Sequence, residues 1–115
     1  MPALETMRVL EFSQWEAGPS CGLMLGSLVA HVVKLEPPGG EVARKVLGAG
    51  GPGDSQYFLN YNANKLGLSI DIKTKKGRQL VLDMIPNFDV FVENQGPGVV
   101  ERLNLGPDVL MAINP

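Results

Sequence analysis

Several residue types that mark particular classes of protein are scarce in this chain of 115 residues. The single cysteine, Cys21, allows no internal disulfide, and we expect it to pack as a small buried apolar residue in a reducing, cytoplasmic setting. The single histidine, His31, cannot by itself supply the ligands of a zinc site, so we expect no metal. Aromatic residues make up only 6%, so valine, leucine and isoleucine must fill any core.

Long apolar runs and an excess of charge of one sign are also missing. No stretch approaches the roughly 20 apolar residues that a membrane span needs, and residues 1–6 do not resemble a secretory signal. The net charge of -2 favours neither a nucleic acid nor another polyanion as partner. What the chain does contain is 44% hydrophobic residues, as folded domains do, with glycines and prolines grouped between the candidate elements.

Strands and helices are predicted to alternate along the chain. We expect strands at residues 8–12, 31–35, 68–72 and 89–93, and helices from Ser20 onwards and at residues 41–47, 75–85, 99–103 and 107–113. Ser20 is the expected N-cap of the first helix, and its apolar side chains Leu23, Met24, Leu28 and Val29 would share one face. This alternation predicts an α/β fold, with a parallel sheet and flanking helices.

Ligands of parallel α/β sheets bind outside the carboxyl ends of the strands. Four loops are expected at that edge, at residues 14–19, 36–40, 73–76 and 94–98. The loop at 94–98 precedes a helix whose free N–H groups would face an anion, although an ordinary strand-to-helix turn would look the same. The letters G-x-G-x-x-G at residues 48–53 are interpreted as a flexible loop, because a helix precedes them and Pro52 removes a donor.

The charged residues give weaker indications. Lys73, Lys75 and Lys76 follow a predicted strand, where they would either hold phosphates or form the solvated start of a helix. The carboxylates are scattered, and no two have the spacing of an acid–base pair. The residues alone therefore predict an α/β ligand-binding layer with loops suited to anions, without naming the ligand.

A series of motifs resembles the opening of the family III CoA-transferases. They lie at residues 8–12, 17–19, 30–40, 57–60, 64–65, 69–73 and 77–78, and most strongly at 89–94, 97–99, 101–103 and 106–107. The resemblance runs in order from about Met7 to the end of the chain. A series of this kind is more specific than any one motif in it.

The resemblance implies a Rossmann-like fold and an interlocked homodimer, of which residues 1–115 would be the N-terminal part of the large, CoA-binding domain, without the small domain. It implies a CaiB/BaiF-type enzyme, similar to formyl-CoA transferase, that moves coenzyme A between acyl-CoA and a small carboxylic acid. The implied location is the cytoplasm, or a mitochondrion or peroxisome in a eukaryote. The implied aspartate nucleophile, which forms an anhydride and an enzyme thioester, would lie beyond Pro115. No catalytic residue is therefore assigned, and we expect this chain alone to be inactive.

The coenzyme A contacts that the resemblance implies fall on the same loops. They are Glu16, Ala17, Pro37, Ile70, Asp71, Ile72, Lys73, Asn94, Gln95, Gly96, Pro97, Gly98, Val99 and Arg102.

Departures from the family pattern leave other functions open. Val29 and His31 replace small and acidic residues, and Glu16 stands where an uncharged residue is common. A non-catalytic module that binds coenzyme A or a nucleotide, or a fragment of an α-methylacyl-CoA racemase, is therefore an alternative. We also expect the isolated chain to self-associate, because a bare α/β layer leaves apolar surface uncovered.

Overall fold

The computed structural model describes residues 2–46 and 53–115, which form a four-stranded parallel sheet with helices around it. The strands are β1 (Arg8–Phe12), β2 (His31–Glu36), β3 (Leu66–Ser69) and β4 (Val90–Glu93), in the spatial order β3-β2-β1-β4. Val9 of β1 pairs with Val32 on one side and with Val90 on the other. Every pairing is parallel, so the predicted α/β fold class is confirmed.

Five α-helices connect and flank the strands within these ranges. They are α1 (Ala17–Ser27), α2 (Gln56–Asn62), α3 (Lys75–Met84), α4 (Val99–Arg102) and α5 (Pro107–Ile113), with short 3-10 helices at Val42–Lys45 and Ile85–Asn87. None of the helices in the described ranges has the length and apolar character needed to cross a bilayer. The glycine-rich stretch interpreted as a loop at residues 48–53 lies, except for Gly53, outside the described residues.

Each face of the sheet carries its own apolar cluster. Neighbouring residues of a strand point to opposite faces, so Val9 and Leu10 belong to different clusters. The larger cluster contains buried side chains from β1, β2, α3, α5, the 3-10 helix Ile85–Asn87 and the loops after β3 and α4: Leu10, Leu35, Ile72, Val81, Ile85, Leu105 and Leu110. The smaller contains Val9, Ala30 and Val32, on the face that α1 covers. On α3, Val81 is buried, whereas its neighbour Leu80 is 46% exposed.

Helix α1 differs from the prediction in its start and in its buried face. It begins at Ala17, and its N-cap is Glu16 rather than Ser20. Its buried residues are Gly18, Pro19, Gly22 and Gly26, whereas Met24, Leu28 and Val29 are at least half exposed. Because glycine has no side chain, the backbone of α1 can lie close to the sheet. The helix therefore packs through its glycines and not through a stripe of large apolar side chains. Cys21 is exposed, so its expected burial is wrong, because the glycine face takes the sheet side of the helix.

Helix α1 ends in a hydrogen-bonded turn that glycine usually provides. The N–H of Val29 donates to the carbonyl of Gly26, and the N–H of Ala30 donates to that of Leu25. Val29 adopts φ of 73°, a left-handed conformation that is unfavourable for a β-branched residue. No local pattern around Val29 predicts this strain.

Two further elements differ from the prediction. Strand β3 spans Leu66–Ser69 rather than residues 68–72, because the Asp71 carboxylate accepts the N–H of Lys73 and closes a turn just after Ile70. Helix α2 was not predicted. Ser55 caps it by accepting the N–H of Phe58, the one residue of this short helix that is buried, so it shows almost no apolar periodicity.

Candidate functional site

A cavity of about 660 Å³ opens at the carboxyl edge of the sheet. Its walls come from the ends of β1 and β2, the loop after each of them, the loop after β3, and α4. Phe12, Leu35 and Ile72 form part of an apolar floor. The volume lies within the range of about 300–1,000 Å³ that is typical of small-molecule sites, and the position is the one that parallel topology favours.

Eight of the residues predicted as coenzyme A contacts line this cavity. They are Pro37, Ile70, Asp71, Ile72, Lys73, Gln95, Val99 and Arg102. They come from the loops after β2, β3 and β4 and from helix α4, which the parallel strands bring to one edge. The lining also contains residues that the sequence did not single out as contacts, namely Glu36, Glu41, Val42, Lys45 and Leu103.

The other six predicted residues, Glu16, Ala17, Asn94, Gly96, Pro97 and Gly98, are outside the lining. The side chain of Asn94 is engaged by another loop: its Oδ1 accepts the N–H of Gln14 at 2.9 Å, and its Nδ2 donates to the Gln14 carbonyl at 2.7 Å. Gln95 adds a bond from Nε2 to the Phe12 carbonyl at 3.3 Å. These bonds join the loop after β4 to the loop after β1. Asn94 therefore holds two loops of the cavity together without lining it.

Gly98 and Arg102 also contact each other at this edge of the sheet. Gly98 is the N-cap of α4 and adopts φ of 76°, and its carbonyl accepts the N–H of Arg102. A β-carbon at Gly98 would stand 2.9 Å from Nη1 of Arg102. Glycine is favoured here by the backbone conformation, and a side chain at this position would displace the guanidinium of Arg102.

The charges that line the cavity leave it positive. Lys45, Lys73 and Arg102 face it, and none of the three makes an ion pair within residues 2–46 and 53–115. Three carboxylates also line it: Glu36 and Glu41 each have a cationic partner, whereas Asp71 has none among the described residues and accepts the N–H of Lys73, so three unpaired cations stand against one unpaired carboxylate. A positive, partly apolar cavity can hold a ligand that combines anionic and apolar parts.

Glu36 is paired with Arg44. Nε of Arg44 donates to Oε2 at 2.7 Å, and Nη2 donates to Oε1 at 2.6 Å, which is the two-bonded arrangement that guanidinium and carboxylate favour. Burial by itself would raise the pKa of Glu36. The hydrogen bonds from Arg44 and from the N–H of Glu41, with the charges of Arg44 and Lys34, outweigh burial and hold that pKa below its ordinary value.

A buried group of four charges lies beside the cavity. Nζ of Lys34 is 2.9 Å from Oε1 of Glu11 and 2.6 Å from Oε2 of Glu41, and Nζ of Lys65 is 2.7 Å from Oε2 of Glu11. Oε2 of Glu11 and Oε2 of Glu41 accept no well-aligned hydrogen bond among the described residues, so charge holds them in place. Burial lowers the pKa of Lys65, against the opposing pull of the Glu11 carboxylate.

Glu11, interpreted from the sequence as one of several scattered carboxylates, thus shares Lys34 with Glu41. A signal was present in the sequence: Glu11 and Lys34 stand inside strands that a parallel sheet buries on both faces, where charged residues need partners. The two residues are direct neighbours in the register of β1 and β2. The contributions of Glu41 and Lys65 could not be foreseen, because they come from loops.

Comparison with known proteins decides the family. The model of CoA-transferase family III matches residues 4–115. The chain belongs to CoA-transferase family III. The resemblance of its motifs to this family is thereby confirmed.

Individual relatives agree with this family assignment. The chain is 40% identical over 114 residues to formyl-CoA:oxalate CoA-transferase of Bradyrhizobium, and it spans 27% of that protein. It is 41% identical over 114 residues to a protein of Mycobacterium tuberculosis named probable fatty acyl-CoA transferase, spanning 29% of it. These family III relatives are therefore more than three times as long as this chain.

Solved structures of the family share this arrangement. A crystal structure of the Mycobacterium tuberculosis protein superimposes with a TM-score of 0.91 at 40% identity, over 100% of this chain and 32% of the other. A CaiB/BaiF family protein from Brucella suis gives 0.90 at 33% identity, over 98% of this chain and 31% of the other. The four-stranded parallel layer is thus part of a known family III architecture.

Proposed function

We propose that the cavity at the carboxyl edge binds the coenzyme A part of an acyl-CoA, in an enzyme that transfers coenzyme A between carboxylic acids. Residues 1–115 would form the N-terminal part of its large, CoA-binding domain, and the enzyme would act as a homodimer. The observation that carries the proposal is that Lys45, Lys73 and Arg102, which make no ion pair among the described residues, share one cavity lining with apolar side chains, in a chain of this family.

The chemistry of coenzyme A fits these two kinds of surface. Its phosphates would lie against the cations, since lysine and arginine both bind phosphate strongly. Its pantetheine arm would lie on apolar walls such as Ile70, Val99 and Leu103. The role of this chain would be to bind the carrier and to orient its thioester.

The transfer itself needs a carboxylate from another part of the polypeptide. In the reaction that the family resemblance implies, an aspartate attacks the acyl carbonyl, the carbon–sulfur bond breaks, and the coenzyme A thiolate leaves with the electron pair. The thiolate then attacks the aspartyl carbonyl of the resulting anhydride, releases the first carboxylate and forms an enzyme thioester. The acceptor acid repeats the two steps in reverse.

Coenzyme A affinity tests the site directly. Calorimetry on the full-length polypeptide should show that Lys73→Ala and Arg102→Ala each weaken coenzyme A binding about tenfold, because each removes a charge-assisted contact. Pantetheine has no phosphate, so its affinity should stay the same in both variants. Lys76→Ala is the matched control, since Lys76 is equally exposed but does not line the cavity. Unchanged coenzyme A affinity in both cavity variants would reject the site.

A second function is favoured by the position of the aspartates. Among the described residues, Asp71 is the one aspartate that lines the cavity, and its Oδ1 accepts the N–H of Lys73. That arrangement supports a role in binding alone, as in a non-catalytic module for coenzyme A or a nucleotide. Exchange of a labelled acid into its own acyl-CoA by the full-length polypeptide, tested with formate and formyl-CoA, oxalate and oxalyl-CoA, and a fatty acid and its acyl-CoA, would separate the two: a transferase exchanges the label with at least one pair, and a binding module exchanges it with none.

A further inference from the structure

We infer that Arg44 is a positioning residue for this cavity: it pairs with the Glu36 carboxylate, which lines the cavity, so that this negative charge does not repel a phosphate. This inference rests on the proposed function and adds a residue to it. Arg44 would act through Glu36 without touching the ligand itself.

Arg44 reaches Glu36 from outside the cavity. Glu36 is among the residues that line the cavity, and Arg44 is not. The guanidinium is held on its other sides by Asp54, whose Oδ2 lies 2.8 Å from Nη1, and by the ring of Phe58, whose centroid lies 3.8 Å from Cζ. An arginine fixed on three sides loses little further freedom when it pairs with a carboxylate, so the pair is preorganised.

Gly40 makes room for this pair. It adopts φ of 81°, and a β-carbon there would stand 2.5 Å from Cδ of Arg44 and 2.9 Å from its Nε. The same carbon would be 3.3 Å from Oε2 of Glu36. The loop after β2 therefore passes directly over the ion pair, and glycine is the residue that permits it.

The Glu36–Arg44 ion pair also connects the end of β2 to the 3-10 helix that carries Lys45. Glu36 ends β2, and Arg44 belongs to the 3-10 helix that contributes Val42 and Lys45 to the lining. The N–H of Glu41 donates to the same Oε2 of Glu36 at 2.9 Å. Loss of Arg44 would leave an unpaired carboxylate in the same lining as Lys45 and Lys73, where it would repel a bound phosphate.

Variants that remove the charge of Arg44 or Glu36 distinguish the proposed role of Arg44 from a purely structural one. In calorimetry on the full-length polypeptide, Arg44→Gln should weaken coenzyme A binding about tenfold by exposing the Glu36 charge to the ligand. Adding Glu36→Gln in the same molecule should restore affinity to within about threefold, because the repelling charge is gone. Glu36→Gln alone should bind coenzyme A at least as tightly as the wild type, and pantetheine should bind all variants alike.

Several outcomes would overturn the inference. They are wild-type affinity in Arg44→Gln, a double variant as weak as Arg44→Gln, and weaker binding in Glu36→Gln alone. If Arg44→Gln does not fold, the Glu36→Gln variant and the double variant still decide. A wild-type protein that does not bind coenzyme A defeats the proposed function together with this inference, whereas binding that is indifferent to Arg44 defeats this inference alone.

Discussion

The carboxylate of Glu11 occupies the space that a β-carbon would need at Gly22. An ideal β-carbon built on Gly22 would overlap Oε2 of Glu11 and would also crowd the end of Lys65. The glycine on helix α1 and the buried acid on strand β1 therefore depend on each other. Through Glu11, the same glycine supports the ion pairs with Lys34 and Lys65.

Gly22→Ala should destabilise the fold strongly. The added methyl must push a buried, ion-paired carboxylate out of place, and we expect a loss of about 2–4 kcal/mol in the free energy of unfolding. Chemical denaturation followed by circular dichroism measures it. Gly26→Ala is the matched control on the same helix, since its β-carbon would meet nothing closer than 3.4 Å. Equal stability of the two variants would contradict the argument.

Val29→Gly should stabilise the protein. Val29 is half exposed and is held at φ of 73°, so the variant relieves strain and gives up little apolar contact. We expect a gain of about 1 kcal/mol, seen as a higher melting temperature. Leu28→Gly, one residue earlier at φ of -90°, should not stabilise. A lower melting temperature for Val29→Gly would show that the turn is not strained.

Gly98→Ala should weaken coenzyme A binding as well as stability. The methyl would enter the space beside Nη1 of Arg102 and would also disfavour φ of 76°. We expect about 1 kcal/mol of destabilisation and a weaker affinity that calorimetry detects. Gly67→Ala provides the comparison, because its β-carbon would meet nothing within 4 Å and Gly67 is outside the lining. If Gly98→Ala binds coenzyme A as the wild type does, Arg102 is not held by this glycine.

Stability below neutral pH should depend on Glu36. Its pKa is lower in the folded protein than the ordinary 4.5, because the bonds and charge of Arg44 outweigh burial. A lowered folded pKa gives stability that is fully present above pH 4.5 and is lost as the pH falls through the folded pKa. Unfolding free energies measured across that window should therefore fall less steeply in Glu36→Gln than in the wild type. The same slope in Glu101→Gln and in Glu36→Gln would count against the pairing, since Glu101 is exposed.

The 115-residue chain, prepared by itself, should self-associate. Large apolar side chains such as Met24, Leu28 and Met111 are more than half exposed, and the outer edges of β3 and β4 have no partner strand within the described residues. Light scattering should give a mass above that of a monomer, and it should increase with concentration. A sharply monomeric sample at high concentration would refute this prediction.

Parts of the fold could be predicted from particular residues. The strand at residues 8–12 and the helix at residues 75–85 agree with β1 and α3, because a β-rich apolar run and a helical repeat closed by Pro86 are local signals. Helix α1 was misassigned because its sheet-facing residues are glycines, which carry no apolar signal. Residues 70–72 were placed in β3, although Asp71 in fact closes a turn.

The sequence by itself determined the α/β class, the parallel sheet implied by alternation, and the family, since all of these rest on patterns between near neighbours. Only the tertiary structure decided which charges are neutralised. Glu36 with Arg44, and Glu11 with Lys34 and Lys65, meet across loops and strands. The reason is physical: burial and pairing are properties of the packed chain, and they fix which of its cations remain available to a ligand.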